Sequence, residues 1–245
     1  DIESDEILII DDNSTDKTSK ILKEILKKKN FYLSKNPNVF KLNIIFNKVN
    51  LGYGSNVLKG MEYFLKSGKE FFITIDCDFQ HLVSYINIFK SLSLKYNFIT
   101  GTRYSKNSLK LSGYNFYRFL VNRKMLEFLK FYFKDYRYCI SDFFCGFRLY
   151  SFDIVSKIWE KLKEIENKIG NISYEFPIFL WLELLKLNNL KLKEIPIPYI
   201  TFENRNFKGN KSKELMDHYK RIEKYVNISL SYINLSKREE IWPIS

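Results

Sequence analysis

The stretch that decides the fold is Glu6-Ile7-Leu8-Ile9-Ile10-Asp11-Asp12, close to the start of a chain of 245 residues. An apolar run that ends in two aspartates is typical of a buried parallel strand that runs into a polar loop. Asn13, Ser14 and Thr15 are good N-cap residues, and apolar residues then recur at helical spacing among lysines. The segment therefore predicts a strand at residues 6–10 followed by a helix.

The same order recurs along the chain. Further apolar runs predict strands at residues 42–46, 71–75, 98–100 and 192–196, and helical spacing predicts helices at residues 56–66, 115–134, 152–168 and 175–187. This alternation predicts an α/β fold with a mostly parallel sheet and helices on both faces. The stretch 141–148 is polar and carries a cysteine, and no strand is predicted there. Without a repeat or linker, residues 1–213 are expected to form one domain, with 214–245 as its C-terminal helical tail.

Composition narrows the classes of function. A hydrophobic fraction of 45% lets this length bury a core, and a formal net charge of +12 attracts anions such as nucleic acid, acidic lipid headgroups or phosphorylated small molecules. No recognised nucleic-acid motif is present, so nucleic acid is not the expected partner. Three cysteines without metal-site spacing indicate neither a disulfide framework nor a zinc site, and they fit a cytoplasmic protein. No apolar run approaches the roughly 20 residues that a membrane-spanning helix needs.

The segment Asp76-Cys77-Asp78-Phe79-Gln80 directly follows a predicted strand. Alternate residues leaving a strand point the same way, so Asp76, Asp78 and Gln80 could bring three oxygen ligands to one side. Mg²⁺ and Mn²⁺ prefer such oxygens and keep open positions for substrate phosphates. A solvated acidic turn explains the same residues equally well, and the residues alone leave both interpretations open.

Two more polar loops follow predicted strands. The loop 11–16 lies where open α/β sheets place their ligands, and Asp11 and Asp12 could accept hydrogen bonds from a base or ribose. Helix capping explains these residues too and is the favoured interpretation. In the turn 50–54, the two glycines permit a close backbone approach to a phosphate or a positive φ, although a plain turn is the simpler interpretation.

Three arginines, Arg103, Arg148 and Arg205, lie beside turn or loop signals. Each could clamp a phosphate with its forked donors, although lone arginines are usually solvated. An acidic metal cluster together with several loop arginines provides the groups that would neutralise a diphosphate leaving group.

Together these motifs resemble the inverting glycosyltransferase family 2, and within it the dolichyl-phosphate mannose synthase-like and polyprenyl-phosphate glycosyltransferases. The matching stretches are Ile-Leu-Ile-Ile-Asp-Asp-Asn-Ser-Thr-Asp-Lys-Thr (7–18), Asn-Leu-Gly-Tyr-Gly (50–54), Ile-Asp-Cys-Asp-Phe-Gln-His (75–81), Gly-Thr-Arg-Tyr (101–104), Asp142 with Cys-Gly-Phe-Arg (145–148), and Glu-Ile-Pro-Ile (194–197) followed by Arg205 and residues 209–213. Their order and spacing cover nearly the whole chain.

The resemblance implies a GT-A fold, a nucleotide-diphospho-sugar donor and Mg²⁺ or Mn²⁺ as cofactor. It implies that Asp76, Asp78 and Gln80 hold the metal, with catalytic roles for Asp78, Arg148 and Glu175. Contacts with donor or acceptor are expected at the remaining matched positions, which are Asp11, Asp12, Asn50, Gly52, Gly54, Asp76, Arg103, Asp142, Arg205 and Lys213.

The two possible acceptors, a sugar hydroxyl and a lipid phosphate, differ in whether they need a general base. A neutral sugar hydroxyl needs a general base, whereas a lipid phosphate is already an anion. Relatives that glycosylate sugars often have an acidic pair where this chain has only Glu175, which favours inverting transfer to a polyprenyl or dolichyl phosphate. The predicted helix 115–134 combines basic and aromatic residues, which suits peripheral contact with the cytoplasmic face of a membrane, and packing on the core explains it equally well.

Two rival functions stay open. One is a family 2 enzyme that extends a saccharide with Glu175 as base, and the other is a non-catalytic basic module that binds nucleic acid or membrane. Family members also begin with a strand and a Pro-x-Tyr-Asn-Glu-like segment, which nothing before Asp5 resembles. The sheet is therefore expected to lack its usual first strand, with the chain an N-terminal truncation or its base pocket built otherwise. If the chain is truncated, a central strand position is expected to be empty and a pairing edge exposed.

Overall fold

The structure is a computed structural model that describes residues 6–33, 41–78, 80–108, 116–133, 138 and 140–198, together with the single positions Lys220 and Asn227. The predicted site residues Arg205 and Lys213 lie outside the described residues. So do Cys139 and nearly all of the predicted C-terminal tail.

Within these ranges, strands and helices alternate as predicted. In chain order they are β1 (Glu6–Asp11), α1 (Thr18–Leu33), β2 (Lys41–Phe46), α2 (Tyr53–Ser67), β3 (Phe71–Thr74), α3 (Tyr85–Leu92), β4 (Phe98–Thr102), α4 (Phe116–Tyr132), β5 (Arg148–Ser151), α5 (Phe152–Ile169), α6 (Phe176–Leu184) and β6 (Leu192–Pro196). The predicted α/β fold is confirmed. Two elements, α3 and β5, were not predicted, because α3 has only eight residues and the four residues of β5, Arg-Leu-Tyr-Ser, form no apolar run.

The strands form two separate sheets. β1 and β2 pair in parallel, and the second sheet has the order β3-β5-β4-β6. In the second sheet β4 and β6 are parallel, whereas β5 is antiparallel to both of its neighbours. Because β3 and β4 both oppose β5, they share one direction with β6. Among the described strands of this sheet, β5 alone runs against the others, so two of its three pairings are antiparallel.

The split between the sheets leaves two unpaired edges. Among the described strands, β1 pairs only with β2, and β3 pairs only with β5 at that end of its sheet. Helix α2 packs across both sheets, since a Cβ atom at Gly60 would lie 3.0 Å from Phe72 Cζ and 4.0 Å from Ile10 Cδ1. The lack of a usual first strand in the sheet stays a prediction.

The four-stranded sheet has helices on both faces. Phe98 and Tyr150 face the larger core, which α2, α4, α5 and α6 cover. Ile99 and Leu149 face the opposite way and pack with Phe89 of α3. Opposite faces alternate along each strand as the pleat requires.

The face of the larger core changes from apolar to polar along the strands. The register places Phe72, Tyr150, Phe98 and Leu192 in one row across the sheet. The next row, toward the carboxyl end of β3, contains Thr74, Arg148, Thr100 and Glu194. Polar groups thus enter the core face directly below the loops that follow β3, β4 and β6.

Helix α4 packs on the larger core. Val121, Met125 and Leu129 recur every four residues and are buried there. Asn122 is also buried, and its amide binds the backbone of residues 141 and 143. Phe131 is 87% exposed. No helix in the described ranges is long and apolar enough to cross a bilayer.

Candidate functional site

The predicted site loops meet at one end of the sheets. The loop after β1 contacts the turn after β2, and that turn contacts the segment 172–176 before α6. The loop after β3 contacts Gly146, and the loop after β4 contacts Asp142. Carboxyl ends of parallel strands share one edge, so the fold brings together motifs that are far apart in sequence.

Asp12 ties the first two loops together. Its carboxylate accepts hydrogen bonds from the backbone N–H groups of Leu51 (2.8 Å) and Gly52 (2.9 Å), and from the Asn47 amide at 2.9 Å. Asn50 donates to the Asp12 carbonyl at 3.3 Å. Burial acts to raise the pKa of Asp12, but these hydrogen bonds outweigh it and hold the pKa below its usual value. Asp12 therefore shapes the glycine turn, and its contact with a nucleoside stays a prediction.

Asp11 supports the start of α1. Its side chain is 4% exposed and accepts hydrogen bonds from the Ser14 hydroxyl at 2.5 Å, from Ser14 N at 3.2 Å and from the Ser19 hydroxyl. Hydrogen bonds from Ser14 and Ser19 lower the pKa of Asp11. These contacts favour the capping interpretation, and a substrate contact for Asp11 stays a prediction.

The glycines of the turn 50–54 are needed for contacts within the chain. Gly52 has a φ of +87°, and a Cβ atom at Gly54 would lie 2.6 Å from Phe176 Cβ. The hydrogen bond from Ser55 N to Ile172 O, at 2.9 Å, and the one from Ile172 N to Ser55 Oγ, at 2.8 Å, hold the two segments together. The turn therefore lies directly against the segment that carries Glu175, whose carboxylate accepts a hydrogen bond from Ser173 N at 3.2 Å.

Asp76 lies just beyond β3 between two close neighbours. Its carboxylate occupies the space of a Cβ atom at Gly146, at 2.6 Å from Oδ2, and His81 Nε2 lies 3.5 Å from the same oxygen. The Asp76 side chain is nevertheless 40% exposed. The His81 side chain is buried and stacks on Phe147, and its Nδ1 has no hydrogen-bond partner among the described residues.

The acidic segment fits a hard cation in its donor chemistry. Asp76 offers a partly exposed carboxylate, Asp78 Oδ1 accepts a hydrogen bond from Gln80 N at 3.1 Å, and Gln80 adds an amide oxygen. In the described ranges no group of three or more His, Cys, Asp or Glu side chains could hold a metal ion. Two carboxylates with one amide match a site that phosphates and water complete, and this metal set stays a prediction.

Arg103 and Asp142 form a buried ion pair. Arg103 donates from Nε at 2.7 Å and from Nη2 at 2.9 Å to the two carboxylate oxygens, and Arg103 N donates at 3.0 Å. The Asp142 side chain is fully buried, whereas the Arg103 side chain is 13% exposed. Asp142 therefore holds Arg103 in the structure, and direct substrate contacts of the two residues stay predictions.

Arg148 lies entirely inside the protein. Its Nη2 donates to Phe143 O at 3.1 Å, and the guanidinium lies 5.9 Å from the Trp181 ring centre. Nε and Nη1 have no hydrogen-bond partner among the described residues. Burial raises the pKa of Tyr53 although the nearby Arg148 opposes this, and Asp76 raises it further, so these groups share one environment. Whether Arg148 acts in catalysis stays a prediction.

Two residues near the site received no role from the sequence. His81 and Glu194 lie inside the quoted motifs 75–81 and 194–197, so the signal was present, but motif membership does not reveal a contact. Glu194 accepts hydrogen bonds from Ser141 N, Ser141 Oγ and Asp142 N at 2.8 to 3.1 Å. It therefore binds the same loop that holds Arg103.

A mixed α/β fold with acidic, glycine-bearing and basic loops at its strand ends has the architecture of the GT-A glycosyltransferases. The family model described as Glycosyl transferase family 2 matches residues 1–159, well over half of the chain. The chain belongs to this family. A search among curated proteins finds no match. Family membership identifies a transferase that uses a nucleotide-sugar donor, and the matched range ends before Glu175 and Glu194.

Proposed function

We propose that the chain moves a sugar, with inversion, from a nucleotide-diphospho-sugar to a polyprenyl or dolichyl phosphate, assisted by Mg²⁺ or Mn²⁺. The observation that carries the proposal is Asp76, a partly exposed carboxylate fixed between Gly146 and His81 at the end of β3. A carboxylate in this position, beside glycine-bearing and arginine-bearing loops, suits the binding of a diphosphate and its cation.

The chemistry follows from the charges of the groups. A cation held by Asp76, Asp78 and Gln80 would supply positive charge next to the diphosphate. The acceptor oxygen forms a bond to C1 of the sugar from the face opposite the diphosphate. The bond from C1 to the phosphate oxygen breaks, and its electron pair leaves with the diphosphate. Arg103 stabilises the added negative charge, because fixed donors aimed at a developing charge need no reorganisation.

The acceptor proposal rests on the surroundings of Glu175. Its carboxylate accepts a hydrogen bond from Ser173 N, a contact that orders the start of α6. A phosphate acceptor needs no proton removed, so this local role of Glu175 is compatible with transfer. The contact of the glycine turn with Ser173 favours the second candidate, in which Glu175 is the base for a saccharide hydroxyl.

We also propose peripheral contact of α4 with a membrane. Phe131 on this helix is 87% exposed, and the chain carries a net charge of +12. A large exposed aromatic side chain on a basic protein suits the interface of a bilayer with anionic lipids.

The acceptor is tested by assaying the 245-residue chain with GDP- and UDP-sugars, Mn²⁺, and either a polyprenyl phosphate or an oligosaccharide. We expect transfer to the polyprenyl phosphate that survives Glu175→Gln, with the exposed residue Glu160→Gln as matched control. Saccharide extension that Glu175→Gln abolishes would establish the second candidate instead. A chain that turns over no nucleotide sugar with either acceptor would contradict both and leave the non-catalytic alternative.

A further inference from the structure

We propose that Glu194 is a positioning residue that fixes, through Asp142, the guanidinium of Arg103 for binding an anionic group of the ligand. Only the identity of that ligand, a nucleotide diphosphate, rests on the proposed function. Glu194 lies on β6, in the same row of the sheet as Thr100.

The first step is the hold of Glu194 on the loop. Oε1 accepts hydrogen bonds from Ser141 N at 2.9 Å and from Asp142 N at 3.1 Å, and Oε2 accepts from Ser141 Oγ at 2.8 Å. Both oxygens of one mostly buried carboxylate are thus used on two consecutive residues. These hydrogen bonds hold the backbone at Ser141 and Asp142, and they thereby set the position of the Asp142 side chain.

The second step is the hold of Asp142 on Arg103. The carboxylate takes the edge of the guanidinium formed by Nε and Nη2, at 2.7 and 2.9 Å. The Arg103 side chain keeps 13% of its surface exposed. The pairing is bidentate, so the orientation of the remaining edge of the guanidinium is set by the position of Asp142.

Residues 141–143 of the loop form further hydrogen bonds with other elements. Asn122 accepts a hydrogen bond from Phe143 N and donates to Ser141 O, each at 2.7 Å. The hydroxyls of Ser141 and Thr102 lie 2.6 Å apart. Three elements, α4, β4 and β6, therefore hold the loop, and only Glu194 among these contacts binds the backbone of Asp142 itself.

Glu194 acts by positioning the loop and not by attracting the ligand with its charge. Burial raises the pKa of Glu194 to about 7, and the charge of Asp142 adds to the rise, against hydrogen bonds that lower it. Arg103 and Asp142 already neutralise each other, so a second negative charge does not help to bind an anion. A neutral side chain of the same shape should therefore serve as well as glutamate, which is a sharp requirement of the proposal.

The test is a double-mutant cycle on binding of inorganic pyrophosphate with Mn²⁺, measured calorimetrically on the full chain. Arg103→Gln and Glu194→Ala should each weaken binding about tenfold, the scale of one lost hydrogen bond to a charged group. In the Arg103→Gln background, Glu194→Ala should add no further loss, because both changes remove the same interaction. Glu194→Gln should stay within about twofold of the parent chain, since its Oε1 can keep the two backbone hydrogen bonds. Lys193→Gln, an exposed neighbour on β6, is the matched control.

The outcomes are distinct. Additive losses in the cycle, or an effect of Glu194→Ala equal to that of the control, would overturn the proposal. So would pyrophosphate binding that ignores Arg103→Gln, because Arg103 would then not hold the anion. If Glu194→Ala does not fold, Glu194→Asp replaces it and should show the same loss, because the shorter side chain cannot reach both backbone groups. Coupling observed in a chain that transfers no sugar would support this proposal and contradict the proposed function.

Discussion

Single side chains at this site support the fold and also shape the surface that a ligand would meet. Asp12 follows a strand as a ligand-binding carboxylate would, yet its oxygens bind the backbone of Leu51 and Gly52. The carboxylate of Asp142 likewise binds a group of the protein, the guanidinium of Arg103. Asp76 differs from both, because 40% of its side chain remains exposed. At this scale the strongest candidate for direct contact with a cation is therefore Asp76.

Asp76→Asn should reduce sugar transfer by at least about a hundredfold and weaken Mn²⁺-dependent pyrophosphate binding, because the proposed cation loses an anionic ligand and is held less tightly beside the diphosphate. The stability should change little, since the side chain is partly exposed. Transfer rates and calorimetric titrations with Mn²⁺ check this. Glu160→Gln, an exposed acid on α5 outside the predicted site, is the control and should leave both unchanged. Equal activity of Asp76→Asn and the parent chain would contradict the role of Asp76.

Gly54→Ala should destabilise the protein by about 1–3 kcal/mol, the usual cost of overpacking. The added Cβ would lie 2.6 Å from Phe176 Cβ and 2.7 Å from Ile172 Cγ2, so the turn and the segment with Glu175 must separate. Urea unfolding measures the loss. Gly68→Ala, where a Cβ meets nothing within 4 Å, should cost about 1–2 kcal/mol through its positive φ alone, a cost that Gly54 does not share. An unchanged unfolding free energy of Gly54→Ala would mean that the contact is loose.

Among the elements, the loop 141–147 between α4 and β5 links the two halves of the site. At its start the loop forms hydrogen bonds with Glu194 and Arg103. The carbonyl of Phe143 accepts hydrogen bonds from Arg148 at 3.1 Å and from Trp181 at 3.0 Å. At its end, Gly146 lies against Asp76. Side chains from α4, β5, α6 and β6 thus satisfy the backbone hydrogen-bonding groups of this irregular segment.

Glu194→Gln should remove a pH dependence of stability. The folded pKa of about 7 lies above the ordinary value of 4.5, so the folded protein binds this proton more tightly than the unfolded chain. The contribution to the unfolding free energy is therefore complete below about pH 4.5 and is lost as pH rises through about 7, by about 3 kcal/mol. Urea unfolding from pH 4.5 to 8 should show this fall in the parent chain and a flatter profile in the variant. Parallel profiles would contradict the raised pKa.

At the scale of the whole molecule, charge and exposed apolar groups act together. A net charge of +12 attracts anionic surfaces at a distance, whereas Phe131 can act only on contact. The two contributions are separable, because salt screens charge over about 3 Å at 1 M and leaves apolar burial in place.

The chain should sediment with vesicles that contain anionic lipid and not with neutral ones. High salt should release most of it, and Phe131→Ser should weaken binding several-fold at low salt. Leu94→Ser is the matched control, because Leu94 is 93% exposed and lies away from α4 in sequence. Equal losses in the two variants would show that Phe131 has no special contact with the membrane.

The sequence by itself determined the alternation of strands and helices, the polar loops at the strand ends and the family motifs. These depend on local periodicity and on residue types that a short stretch carries. Tertiary structure decided that β5 joins its sheet in the antiparallel direction and that the strands divide into two sheets. It also decided that Asp12 binds backbone N–H groups and that Asp142 binds Arg103. It also brought Glu194 to Asp142, 52 residues away. Such contacts depend on which segments pack together, and local pattern cannot show this because each partner looks ordinary in its own stretch.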